Sequence, residues 1–155
     1  TIMVGASEAT FERVKPLLLH MGKTVTRIGD TGAGQVAKSC NQIVVTGTIM
    51  CVAEAFQFAR AAGVDPKPIR EALLGGFAGS KILEIHGNRM LTDDYAPGFK
   101  TVLHKKDMGI VHEIARELGL DDPISELGLD ALNRAMEAGY GELDSSVLYK
   151  LGEKK

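Results

Sequence analysis

The sequence has no tryptophan, and aromatic residues make up only 5% of it. Proteins that read single-stranded nucleic acid by stacking bases on rings need more. There are two cysteines, Cys40 and Cys51. Placed on one helix they are too far apart to bridge, and their spacing matches no metal motif. Both are expected to be reduced core residues of a cytoplasmic protein, with no metal site. The formal charge of −2 gives no broad attraction to nucleic acid or anionic lipid. No apolar run reads as long enough to cross a bilayer, and the first residues lack a signal-peptide layout. No internal repeat or low-complexity stretch is visible. What is present is ordinary for a soluble globular protein: 45% hydrophobic and 25% charged residues in 155 positions. That length suits one domain, or a small domain plus a piece of another.

The chain begins at Thr1 with "TIMVG", which reads as a buried strand, so we expect the sequence to be an excerpt of a longer polypeptide. Ser7 can cap a helix over Glu8–Met21, with Phe11, Val14, Leu17, Leu18 and Met21 on one side. Pro16 should kink that helix or divide it. "TVTRI", Thr24–Ile28, is rich in β-branched residues and predicts a second strand. Strand, helix and strand together have the size of one βαβ unit. From Gly34 to Ala62 the pattern predicts a single long helix, apolar on most sides. Asp65-Pro66 and Asp122-Pro123 each give an N-cap followed by proline at the first helical position. They predict helices to Leu74 and to about Ala138. Ser80 opens a helix through Ile82, Leu83, Ile85 and Met90. Thr101–Leu118 is helical, with Leu103, Ile110, Ile114 and Leu118 on one face. Asp144 or Ser145 can cap a last helix through Leu148 and Leu151. The lysine-rich tail, Glu153–Lys155, reads as a frayed end.

"GAGQVAKSCN", Gly32–Asn41, fits the glycine-rich loop that cradles a dinucleotide phosphate. Glu54 lies where a ribose-binding acid would stand. However, the long helix runs through position 54, whereas a phosphate-loop helix gives way to a second strand before its acid. The other reading is a helix start whose small residues allow close approach to a backbone or a ligand. Lys38 follows within the first turns, with Asn41 and Gln42 at i+3 and i+4 on the same face. A lysine there can simply snorkel to water. It can also be a proton donor at a cleft, with Asn41 orienting a substrate hydroxyl, if burial or a nearby cation favours its neutral form. In "PGFKTVLHKKDMG", the pair Lys105-Lys106 reads either as a solvated pair offset by Asp107 or as that cation.

The segment "GAGQVAKSCNQ" resembles the active-site segment of the β-hydroxyacid dehydrogenases, the family of 3-hydroxyisobutyrate dehydrogenase and tartronate semialdehyde reductase. The family pattern G-x-G-x-x-x-K-x-x-N is matched by Gly32, Gly34, Lys38 and Asn41. A second family signature, F-x-x-x-L-x-x-K-D, is matched by Phe99, Leu103, Lys106 and Asp107. "GGFAGSKIL" and "DSSVL" are also similar to family stretches, nearest the tartronate semialdehyde reductase branch. The resemblance covers essentially the whole chain.

The resemblance implies an oxidoreductase that interconverts a β-hydroxyacid and its semialdehyde with NAD or NADP. It implies that Lys38 is the catalytic acid/base and that Asn41 binds substrate. It places Lys106 at the cofactor and substrate cleft, and Phe99 beside the nicotinamide. It implies a mainly α fold, in which a βαβ remnant of a Rossmann domain (1–31) precedes an all-helical substrate and oligomerisation domain (32–155) through a long interdomain helix. Partners would be a small hydroxyacid and further copies of the chain, as a homodimer or homotetramer, with neither nucleic acid nor membrane. The family's nucleotide fingerprint and its serine-glycine-glycine substrate loop have no counterpart here. "GAGQVA" is therefore expected to be a helix start, and this stretch alone to lack activity and to bind the cofactor weakly. The contrasting expectation is an inactive dehydrogenase-like domain kept for oligomerisation or scaffolding. In such chromatin-associated relatives the lysine is replaced, whereas Lys38 and Asn41 are both present here.

Overall fold

The computed structural model describes residues 1–152, so the expected frayed tail lies outside the described residues. The chain divides into two compact units, Thr1–Gln42 and Ile43 onward.

In the first unit, β1 (Ile2–Gly5) and β2 (Val25–Gly29) flank α1 (Glu8–Leu18). The strands pair in parallel, with Ile2 opposite Val25 and Val4 opposite Arg27. Ser7 caps α1 by accepting from the Thr10 amide. The helix ends earlier than its apolar pattern suggests. Pro16 lies inside its last turn. The amides of His20, Met21 and Gly22 bond back to Leu17 and Leu18 as a closing turn. Of the expected apolar side, only Phe11 is buried, while Leu17 and Met21 are exposed.

The long helix α2 (Ala33–Ala61) begins in the first unit and continues into the second. Its glycines are spent on backbone geometry. Gly32 has φ +98°, which only glycine adopts freely. A Cβ on Gly34 would meet the Met3 carbonyl oxygen at 2.7 Å. The G-x-G pattern therefore seats a helix start against β1. Glu54 is an exposed residue in mid-helix.

By length and apolar content α2 could cross a bilayer, contrary to the expectation that no such run exists. Its second half is instead a core helix. Ile49, Val52, Ala53 and Phe56 join Leu83, Met90, Met108, Val111, Leu132 and Tyr149 in one hydrophobic core. Around it stand α3 (Pro66–Leu74), α4 (Lys81–Thr92), α5 (Thr101–Glu117), α6 (Pro123–Glu137) and a closing 3-10 helix, Ser145–Gly152. Asp65 and Ser80 cap α3 and α4 with their side chains, as expected. Asp122 makes no such cap bond, because its carboxylate is 3.1 Å from His112 Nδ1 on α5.

Two sequence expectations are corrected. Cys40 and Cys51 are free but exposed, since they lie on the sides of α2 turned away from the packed residues. On α5, the core stripe is Thr101, His104, Met108, Val111 and Ala115. Leu103, Ile110 and Leu118, on the face singled out by its leucines and isoleucines, are exposed.

Candidate active site

Lys38, Asn41 and Gln42 are brought together in the first unit by helical spacing alone. Lys38 Nζ donates to Gln42 Oε1 at 2.8 Å. Asn41 Nδ2 donates to the same oxygen at 3.0 Å. Gln42 is 4% exposed, Lys38 is half-buried and Asn41 is exposed. A buried amide oxygen thus holds two more accessible donors side by side, one of them charged. Hydrogen bonds from charged donors are the stronger kind, so Gln42 limits where the ammonium can point. Lys38 also lines an open cavity of about 450 Å³ with Thr1, Met3, Gly5, Gly34 and Gln35.

Phe99 and Lys106 lie in the second unit, where α5 begins. Phe99 is the second-last residue of the loop before α5. Its ring tilts on the His104 imidazole, with centroids 5.5 Å apart. His104 is fully buried, and its Nε2 is 2.7 Å from Thr46 Oγ1 on α2. Lys106 is well exposed and pairs with Asp107 at 3.1 Å. The signature residues Phe99 and Lys106 therefore place an aromatic ring and an exposed ammonium around the start of α5.

Sequence reasoning placed Gln42 beside Lys38 but gave it no role. It missed Asp144, whose Oδ2 accepts from the amides of Gly98 and Phe99 at 3.0 and 3.1 Å. The signal available was the "DSSVL" stretch, an acid followed by two small hydroxyl residues. Nothing in it indicates a loop more than forty residues away.

A donor-bearing start to a long helix, followed by a helical unit with an aromatic and a lysine at the head of α5, corresponds to a known class. The chain belongs to the family described as NAD-binding of NADP-dependent 3-hydroxyisobutyrate dehydrogenase, whose model matches residues 32–152. Among its relatives, the 2-hydroxy-3-oxopropionate reductase of Escherichia coli (strain K12) is 46% identical over 148 residues, which is 96% of this chain and 51% of that protein. An NAD-dependent L-serine dehydrogenase of Pseudomonas aeruginosa is 32% identical, over 97% of this chain and 53% of its own length. Of solved structures, the 3-hydroxyisobutyrate dehydrogenase of Salmonella typhimurium has a TM-score of 0.87 at 31% identity, covering 95% of this chain and 52% of that one. That of Mycobacterium tuberculosis, solved with L-serine, has a TM-score of 0.88 at 28% identity, covering 98% and 54%. The chain spans about half the length of the curated relatives it matches.

Proposed function

We propose that this chain carries the proton-transfer and substrate-orienting residues of an NAD(P)-dependent β-hydroxyacid dehydrogenase. The observation that supports this best is the shared acceptor: Lys38 and Asn41 both donate to Gln42 Oε1, on a helix start that lines an open cavity. In the reductive direction Lys38 Nζ gives its proton to the carbonyl oxygen of a semialdehyde; in the oxidative direction it takes the hydroxyl proton back. Asn41 holds the same oxygen or its neighbour, so that the accepting atom faces Nζ. A bound nicotinamide supplies or accepts the hydride at the substrate carbon.

Phe99 and Lys106 fit the nicotinamide end of such a cofactor. Phe99 offers an aromatic ring and Lys106 an exposed cation. Gly34 has its Cβ position filled by the Met3 carbonyl, which supports reading "GAGQVA" as a helix start packed on β1. Among the described residues the sheet has two parallel strands. Parallel sheets are normally larger and covered on both faces, which supports reading residues 1–31 as the end of a Rossmann domain and 32–155 as the substrate and oligomerisation domain. A substrate of the tartronate semialdehyde type is favoured over 3-hydroxyisobutyrate by the 46% identity to the E. coli reductase.

Self-association as a homodimer or homotetramer is supported by the outer face of α2. Val44, Cys51 and Phe58 recur there at heptad spacing, and Val44 and Phe58 are 67% and 76% exposed. A chain that sediments as a monomer would count against it.

The test of the function is Lys38→Ala in an assembled dehydrogenase, with this chain behind an amino-terminal nucleotide-binding domain. We expect turnover to fall about 1,000-fold, the range for a lost general acid, while cofactor affinity stays within about threefold. Turnover within tenfold of the parent would remove Lys38 from the role. An assembled parent with no measurable turnover would instead revive the reading as an inactive oligomerisation domain, against which the presence of Lys38 and Asn41 now weighs.

A further inference from the structure

We infer that Asp144 is a positioning residue that fixes the loop ahead of α5, and with it the Phe99 ring. The functional part of this inference rests on Phe99 bordering the nicotinamide, as proposed above. The structural part stands independently of that reading.

Helix α5 does not cap itself. Its N-cap position is Lys100, which makes no side-chain cap bond. The start of the helix is tied instead to residues far along the chain. Asp144 is 1% exposed, and both its oxygens are used. Oδ2 accepts from the Gly98 and Phe99 amides, and Oδ1 accepts from the Ser146 amide at 3.0 Å and the Ser146 hydroxyl at 2.7 Å. The backbone is laced in the same place. The Asp144 amide donates to the Tyr95 carbonyl, the Ser145 amide to the Phe99 carbonyl and the Thr101 amide to the Leu143 carbonyl.

Charge supports the carboxylate from the other side. Arg89 Nη1 lies 3.8 Å from Oδ2, and His86 Nε2 lies 3.8 Å from Oδ1. Arg89 also donates to the Ala96 carbonyl, so it grips the loop and the acid together. Gly98 is the residue that lets the loop lie this close. A Cβ there would meet Asp144 Oδ2 at 3.3 Å and Arg89 Nη2 at 3.5 Å. Burying a carboxylate is costly unless its hydrogen bonds are complete, and here four donors complete them. With its amide on Asp144 and its ring on His104, Phe99 is fixed at both backbone and side chain.

Asp144→Asn tests this, because it keeps the shape but turns one acceptor oxygen into a donor facing N–H groups. In the 155-residue chain, hydrogen exchange at the Gly98 and Phe99 amides should speed up about tenfold or more relative to the Ile49 and Phe56 core amides, the cost of about one lost charged acceptor. Unchanged exchange at Gly98 and Phe99, or an equal rise at the core amides, would overturn the positioning role. Gly98→Ala provides a variant that leaves the buried acid intact. It should show a smaller increase at the same amides, about threefold, and no local increase would equally count against the inference. In the assembled dehydrogenase, Asp144→Asn should raise the cofactor KM about tenfold with kcat within about threefold. Phe99→Ala separates the two readings. If it raises the cofactor KM and Asp144→Asn does not, the functional part of the inference fails. If Phe99→Ala has no effect on KM, the reading of Phe99 fails, and the exchange experiment alone decides for Asp144.

Discussion

At the start of α2 the polar group is drawn from one short run, Lys38–Gln42. At the start of α5 it is drawn from His86, Arg89, Gly98, Phe99, Asp144 and Ser146. The first is a product of helix geometry, in which residues three and four apart must face one another. The second exists only once α4, the loop, α5 and the closing 3-10 helix have come together. The glycines differ in the same way. Gly34 sits hard against the β1 backbone, whereas a Cβ on Gly98 would meet two side-chain ends at 3.3 and 3.5 Å. A locally built site should therefore be sensitive to its own residues, and a site built over long range to the tertiary fold around it.

The largest effect that sharpens this contrast is expected from Lys38→Arg in the assembled dehydrogenase. Arginine keeps the charge and can still reach Gln42, but it does not release its proton near neutral pH. Turnover should fall about 100-fold or more, measured as kcat at saturating cofactor. A variant within threefold of the parent would mean that charge alone suffices there.

Next in size is Gly34→Ala. Its Cβ would lie 2.7 Å from a backbone oxygen that has no freedom to move. Overpacking of this kind costs about 1–3 kcal/mol, readable in urea unfolding of the chain. The matched change at the other site, Gly98→Ala, should cost less, about 1 kcal/mol, since its tightest contact would be 3.3 Å rather than 2.7 Å. Equal costs would erase the distinction between the two helix starts.

Asn41→Ala should follow. It removes a substrate donor and leaves the Lys38–Gln42 bond in place. A loss of about tenfold in kcat/KM, carried mainly by the substrate KM, corresponds to one hydrogen bond.

The smallest effect concerns pH. Burial holds the His86 pKa below its ordinary 6.5, outweighing the attraction of Asp144, and Arg89 lowers it further. At neutral pH the cation beside Asp144 is therefore Arg89. Burial alone would raise the Asp144 pKa, but hydrogen bonds from Ser146 and Phe99, with the His86 charge, hold it below its ordinary 3.8. In both cases the folded chain binds its proton less readily than the unfolded chain, so stability is full above the unfolded pKa and is lost as pH falls. The melting temperature should be flat from pH 7 to 8, begin to fall below about 6.5 through His86, and fall again below about 3.8 through Asp144. His86→Phe should remove the upper step and leave the lower one. A melting temperature that rises between pH 7 and 5 would reverse the sign and refute this account.

The same contrast explains what the sequence disclosed. Cap-and-proline pairs, the β-branched run and the apolar stretch after Gly34 are local signals, and they placed β2, α2, α3 and α6 closely. The core face of α5 was not legible. Leu103 and Ile110 look like core residues, yet the buried stripe runs through Thr101 and His104. Thr101 Oγ1 and His104 Nε2 meet distant partners, the Leu143 carbonyl and Thr46 Oγ1, which no periodicity reveals. Asp144 was invisible as a site residue for the same reason. Spacing puts Lys38 and Asn41 on one face, but it was the match to the G-x-G-x-x-x-K-x-x-N signature that singled them out.

The central claim is that the Lys38 amine moves a proton at the substrate oxygen, and chemical rescue tests it most directly. Turnover by the assembled Lys38→Ala enzyme should recover in proportion to added small primary amines, with a slope that varies with amine basicity and with cofactor affinity unchanged. Turnover that ignores the amines while cofactor affinity has fallen as far as activity would contradict the claim, and would make Lys38 a binding residue instead.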